Sequence, residues 1–232
     1  GTYDRMLDDI FAIQDEIASS VVTQLKLTIL GEAPRSEQIN TEVYTLYLQA
    51  RYVGREYSGE GFERSNALFE EALAIDPDYA PAWSGLSTNY TNQVSNGLLS
   101  SERGLALARS AAEKAIERDP KYAPAHANLG WLAYGYDNDV AQAARHYERA
   151  LKLDPVNTYI MRVSATLLRS LNRPDDAILL GEYFTTRDPA TASGHTNLGL
   201  SYLRTGRFDE AITSHQTALK LSPDYIGAHY RI

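Results

Sequence analysis

No cysteine occurs in the 232 residues of this chain. Disulfide staples, cysteine-ligated zinc, iron–sulfur clusters and a thiol nucleophile are therefore excluded. Long apolar runs are also missing: Ile17 to Leu30 is broken by Ser, Thr, Gln and Lys, and a membrane span needs ~20 apolar residues in a row. No insertion of this segment into a membrane is expected. Positive charge is scarce, with 22 Lys and Arg against 30 Asp and Glu, a formal net charge of −8. Because affinity for nucleic acid comes largely from Lys and Arg neutralising phosphates, no nucleic-acid partner is expected. There is no Gly-rich phosphate loop, no H-E-x-x-H and no G-x-S-x-G. No catalytic residue, cofactor site or metal ligand is assigned.

What the chain does have is a recurring helix end followed by proline. It appears as Ile75-Asp76-Pro77, Arg118-Asp119-Pro120, Leu153-Asp154-Pro155, Arg187-Asp188-Pro189 and Leu221-Ser222-Pro223, with the prolines 43, 35, 34 and 34 residues apart. A hydrophobic content of 44% is enough to bury a core around such units. Between the prolines each unit reads as two helices; in the last complete one, His195, Leu198, Gly199 and Tyr202 follow one stripe and Ala211, His215 and Ala218 another, with Gly206 ending the first helix. Small residues at Ser87, Gly130, Ala165 and Gly199, facing Ala143, Ala177 and Ala211, predict close helix–helix contact. Proline at each unit's end cannot donate a helical hydrogen bond and forces the chain into the next hairpin. Extra length in the first two units predicts lengthened loops at Ser58 to Gly61 and at Asn92 to Ser101, with Asn96-Gly97 as a turn and Ser100 or Ser101 as a helix cap.

These units resemble tetratricopeptide repeats, whose pattern is W-x2-L-G-x2-Y…A-x3-F…A…P. Trp83, Leu86, Ser87 and Tyr90 match the first helix; Leu129-Gly130 and Leu198-Gly199-x2-Tyr202 match it again, with His126 and His195 in the Trp position. Second helices match at Ser65, Phe69, Ala72; at Ala108, Ala112, Ala115; at Ala143, Tyr147, Ala150; and at Ala211, His215, Ala218. The unit between Pro155 and Pro189 departs from the pattern at Met161, Ser164, Gly181 and Phe184 but keeps its length. The resemblance implies an all-α fold, a right-handed α-solenoid of about five hairpins over 40–77, 78–120, 121–155, 156–189 and 190–223, with a sixth begun at 224–232.

Residues 1–32 differ. Ile10, Ile13, Ile17, Val21 and Leu25 recur every three or four places, predicting an amphipathic helix from Asp8 to Leu30 before a linker at 33–39. Tyr3-Asp4-Arg5 and Asp8 to Ile17 resemble the segment that precedes such repeats in bacterial multidomain regulators carrying a TolB-like region and either a class III adenylate/guanylate cyclase or a winged-helix domain. This implies a soluble segment cut from a longer polypeptide, in the bacterial cytoplasm or, alternatively, on the periplasmic side of an inner-membrane regulator. Any cyclase activity would belong to a domain outside it.

The histidines at 126, 195 and 229 occupy equivalent repeat positions, too far apart for a shared metal at bond lengths of ~2 Å, and are expected to pack structurally. In the family the first helices line a concave inner wall. Carried onto this sequence, the candidate binding residues are Ser84, Thr88, Asn92, Trp131, Tyr134, Arg162, Thr166, Arg169, Arg204 and Tyr230. Arginine and aromatics are enriched among binding hot spots. The expected partner is a protein or peptide, and the expected role is that of an interaction scaffold in a signalling or regulatory protein. The alternative is a structural or oligomerisation role, with self-association through the terminal repeat or the N-terminal helix. The Lys and Asn pattern by which one variant of the fold clamps a chaperone tail is not reproduced at Ser84, Thr88, Ala127, Trp131, Arg162 and Thr166.

Overall fold

The computed structural model describes residues 40–223. The expected Asp8 to Leu30 helix, the 33–39 linker, the sixth hairpin and Tyr230 lie outside the described residues. Regular structure within them is entirely helical: α1 (Thr41–Val53), α2 (Gly59–Ile75), α3 (Ala80–Ser95), α4 (Ser101–Arg118), α5 (Ala123–Gly135), α6 (Val140–Leu153), α7 (Thr158–Ser170), α8 (Pro174–Arg187), α9 (Ala192–Arg204) and α10 (Phe208–Leu221), with one 3₁₀ turn at Gly54–Glu56. None of these helices is long and apolar enough to cross a membrane.

Local chemistry places the helix ends. Asn40 Oδ1 accepts from the Glu42 N–H at 3.0 Å, Ser58 Oγ from Gly61 at 3.0 Å and Asn157 Oδ1 from Tyr159 at 3.2 Å. Each satisfies an N–H that the helix itself leaves unpaired. Pro81, Pro124 and Pro174 stand in first turns, where a missing N–H costs nothing. The aspartates before the prolines tie the turns: Asp76 Oδ1 accepts from Asp78 N at 3.0 Å and Asp119 Oδ1 from Lys121 N at 2.8 Å.

The helices pair as α1 with α2, α3 with α4, α5 with α6, α7 with α8 and α9 with α10. Two compact units divide between Leu153 and Asp154. In residues 40–153, Val43, Ala50, Phe69, Ala72, Leu86 and Ala111 form one buried cluster and Ala108, Ala112, Leu129 and Leu132 another. In residues 154–223, Ile178, Leu198, Tyr202 and Ala211 pack together. Ala143, Ala177 and Ala211 are fully buried, as their small size predicts.

One repeated bond explains why histidine replaces tryptophan. Trp83 Nε1 donates to the Pro77 carbonyl at 3.0 Å, His126 Nε2 to that of Pro120 at 3.1 Å and His195 Nε2 to that of Pro189 at 2.9 Å. A carbonyl can only accept, so both imidazoles carry their proton on Nε2. The ring N–H, rather than the indole's bulk, is the shared requirement.

The lengthened loops differ in detail from expectation. Gly59 to Gly61 form the first turn of α2, because the Ser58 cap starts the helix there; the break lies upstream, at Gly54–Glu56 and at Tyr57 with φ 51°. Asn92 to Ser95 are helical, extended by hydroxyl and amide bonds to the preceding turn from Ser95 to Thr91 O and Asn96 to Asn92 O. The turn itself sits at Gly97, φ 69°, and Ser100 is the cap residue of α4.

Candidate functional site

In residues 40–153 the first helices α1, α3 and α5 are neighbours. Ser84 and Thr88 meet on α3, tied by Asn128 from α5: Asn128 Nδ2 donates to Ser84 O at 3.0 Å, Ser84 Oγ at 3.1 Å and Thr88 Oγ1 at 3.3 Å. Ser84 is buried, so its hydroxyl serves the helix contact, while Thr88 is exposed. Asn92 is half-buried near the end of α3, its carbonyl accepting from Asn96. Trp131 and Tyr134 form a half-buried ring pair on α5, centroids 6.3 Å apart and planes tilted by 49°.

In residues 154–223, Arg169 spans α7 to α9. Its Nη2 donates to Asn197 Oδ1 at 2.9 Å and Thr166 Oγ1 at 3.2 Å, and its Nη1 to Asn197 O at 3.2 Å and Ser201 Oγ at 3.4 Å. Arg162 instead lies 5.3 Å from the Tyr159 ring centre, in no ion pair among the described residues. Burial pushes the Tyr159 hydroxyl's pKa up against the lowering pull of Arg162. Arg204 is exposed in the last turn of α9. Arg162, Thr166 and Arg169 are thus brought together, with Arg169 engaged in holding two helices.

The first hairpin carries residues that the repeat alignment passed over. Tyr44, Tyr47 and Arg51 recur at helical spacing along α1, and Tyr-Ala-Pro-Ala occurs twice, at Tyr79 and Tyr122. Tyr47 stands 6.3 Å from Tyr44, interplanar angle 28°, and 5.7 Å from Tyr79, edge-on at 84°. Arg51 lies 5.6 Å from the Tyr47 ring centre and its Nη1 donates to the Tyr47 hydroxyl at 3.4 Å. Tyr122 has Tyr47 and Tyr79 as electrostatic neighbours. Burial, then the neighbouring Tyr47, Tyr44 and Asp76, pushes the Tyr79 hydroxyl up to about 12; burial and Tyr47 hold Tyr122 well above the ordinary phenol value. The spacing in α1 was the available signal, hidden because α1 has no Trp or His to fix its register.

Among the described residues no three His, Asp or Glu side chains gather as a metal site. His126 and His146 pair with centroids 6.2 Å apart, and burial, then His126, Arg145 and Arg109, lowers the His146 pKa. An apolar groove of about 680 Å³ runs between α1 and α2, lined by Leu48, Tyr52, Val53, Ala67 and Leu68.

Paired helices with small residues at their contacts, proline-ended units and the Trp or His bond to proline define a class of helical-hairpin repeat. Residues 132–225 are tetratricopeptide repeat: models described as Tetratricopeptide repeat match residues 132–192 and 192–225. Solved structures share the fold. One is TTC0263, a thermophilic TPR protein of Thermus thermophilus, at TM-score 0.57 and 20% identity, covering 80% of this chain and 96% of that one. PilW, a type IV pilus biogenesis factor, aligns at 0.58 and 18% identity, covering 80% of each chain. The human IFIT1 dimer with m7Gppp-AAAA aligns at 0.62 and 20% identity, covering 78% of this chain and 44% of that one. At such identities the likeness concerns the fold alone. A curated relative, "Putative adenylate cyclase 3" of Rhizobium meliloti (strain 1021), is 32% identical over 99 residues, which is 39% of this chain. This chain spans 17% of that protein's length.

Proposed function

We propose that this chain is a protein–protein interaction module of a bacterial signalling protein, taking a peptide on the faces of its first helices. The observation that carries the reading is Arg162, a guanidinium resting on Tyr159 in no ion pair among the described residues. A planar fork of donors on an aromatic support is suited to carboxylates and backbone carbonyls. In residues 40–153, Trp131 and Tyr134 form a separate aromatic surface suited to apolar residues. Thr88, Asn92, Thr166 and Arg204 complete the two faces, Ser84 and Arg169 brace them from within, and Tyr230 belongs to the same proposal. The partial relation to an adenylate cyclase supports the signalling setting.

The test is the affinity of a labelled, amidated peptide alternating acidic pairs with single phenylalanines. Arg162→Ala, Arg169→Ala should weaken it by about tenfold or more, about 1.4 kcal/mol, while Lys152→Ala on α6 leaves it unchanged. Raised salt should weaken it too, since exposed attraction is screened within about 8 Å at physiological ionic strength. Equal affinities for the double variant and the control would remove these faces as the site.

A second reading, self-association, is favoured by the exposed groove of Leu48 and Tyr52. Concentration-dependent light scattering with Leu48→Glu as the comparison decides it. A monomer at every concentration rejects it.

A further inference from the structure

Four tyrosines and one arginine from three successive hairpins gather in residues 40–153. Packing alone does not require them. Phenylalanine would fill the same space against Phe69, whose ring lies 6.1 Å from Tyr47, whereas each tyrosine adds a hydroxyl that needs a partner. The rings make a corner: Tyr44 and Tyr47 lie near parallel along α1 and Tyr79 stands edge-on to Tyr47. Tyr44 is 42% exposed and Arg51 is exposed, so the corner opens to solvent.

The polar groups of this corner are four phenol hydroxyls and one guanidinium. Arg51 can only donate, and it forms no ion pair among the described residues. Like any phenols, Tyr79 and Tyr122 are protonated at neutral pH and can donate. A ligand that offers free carbonyl acceptors to the guanidinium and hydroxyls, and flat apolar surface to the rings, matches it. Helical segments fail, because their carbonyls are spent internally. Strand addition fails as well, since the described residues offer no sheet edge. A polyproline II segment fits: its backbone makes no internal hydrogen bonds, its prolines have no N–H, and its rings pack on aromatic surfaces with little ordering entropy left to lose. The one cation adds a charge requirement, an acidic residue beside the prolines.

We propose that Tyr44, Tyr47, Arg51, Tyr79 and Tyr122 form a cradle for a proline-rich segment carrying an acidic residue, with the rings seating prolines, the hydroxyls meeting backbone carbonyls and Arg51 pairing with the acid. This rests on the reading that first-helix faces bind a peptide, and it names what one of them takes.

Fluorescence anisotropy tests it with three labelled, amidated peptides: repeated Pro-Pro-Glu triplets, the same with alanine for proline, and the same with glutamine for glutamate. The Pro-Pro-Glu peptide should bind at least about tenfold tighter than the alanine peptide. Tyr44→Ala and Tyr47→Phe should each remove part of that advantage. Arg51→Gln should abolish the preference for glutamate over glutamine, with melting by circular dichroism checking that each variant folds. The alanine peptide binding as well as the proline peptide, or no peptide binding at all, overturns the cradle. Unchanged affinity in the Tyr44, Tyr47 and Arg51 variants, with loss in Arg162→Ala, Arg169→Ala, overturns it while leaving the broader reading intact. Binding that neither set of variants alters sinks both.

Discussion

In residues 40–153 the Tyr147 ring lies over Gly130, and in residues 154–223 the His215 imidazole lies over Gly199 at the equivalent repeat position. A Cβ on Gly130 would stand 2.6 Å from Tyr147 Cε1, and one on Gly199 would stand 2.8 Å from His215 Cε1. A phenol and an imidazole of different size are accepted because the opposing residue is glycine in both units. Clearance, then, rather than the identity of the ring, is what this repeat position selects. The tightest case in the second unit is Gly194, where a Cβ would fall 1.9 Å from Phe184 Cε1.

The largest expected effect breaks that comparison directly. Gly194→Ala should cost about 1–3 kcal/mol by overpacking against the buried Phe184 ring, and Gly130→Ala and Gly199→Ala somewhat less. Gly135→Ala, where a Cβ meets nothing within 4 Å, should instead stabilise by up to about 1 kcal/mol through helix propensity. Urea unfolding of the four variants checks the order, and a loss at Gly135 as large as at Gly194 would refute it.

Next in size is a contrast between two buried serines. Ser65 Oγ donates to Ala50 O at 2.8 Å and accepts from Asn89 Nδ2 at 2.7 Å, whereas Ser164 Oγ is buried with no hydrogen-bond partner among the described residues. Ser65→Ala should cost about 1–3 kcal/mol by stranding those groups. Ser164→Ala should be neutral or stabilising, by a few tenths up to about 0.5 kcal/mol. Chemical denaturation of both separates them.

A smaller effect tests the ring N–H. His195→Phe should lose about 0.5–1.5 kcal/mol with the bond to Pro189, and His195→Trp should recover most of it, since Trp83 makes that bond in its own repeat. Failure of tryptophan to rescue would show that shape governs this position.

The smallest effects are with pH. Tyr79 and Tyr202 both have folded values raised to about 12, by burial first and then by Tyr47 for Tyr79 and by the bond to Glu182 for Tyr202. Below pH ~10 both states are protonated and the stability is complete; above it the unfolded chain releases protons the folded one keeps, so stability falls towards pH 12. His146 works at the other end. Its folded value is lowered, so the unfolded chain takes up its proton first and stability declines as pH drops below ~6.5. Tyr79→Phe should flatten the alkaline limb and His146→Gln the acid one.

The hairpins were legible in the sequence because each is a local pattern: Gly199 facing His215, proline after each helix, and Gly206 at φ 75° closing α9. Candidate residues were legible where the repeat fixed the register, through His126 for Trp131 and Tyr134 and through unit length alone for Arg162 and Thr166, whose unit has Met161 in the Trp position. Side-chain engagement was not. Asn128 reaches back to Ser84 and Arg169 forward to Asn197 across neighbouring hairpins, and spacing within one helix carries no trace of such long contacts. The tyrosine corner escaped for a similar reason, its members lying on α1 and before two later helices.

Hydrogen exchange with and without the Pro-Pro-Glu peptide tests most directly the claim that ligand contacts fall on first helices. The account predicts slowed exchange in α1 and at the starts of α3 and α5, with α2, α4 and α6 unchanged. Protection confined to α2, α4 and α6 would contradict it.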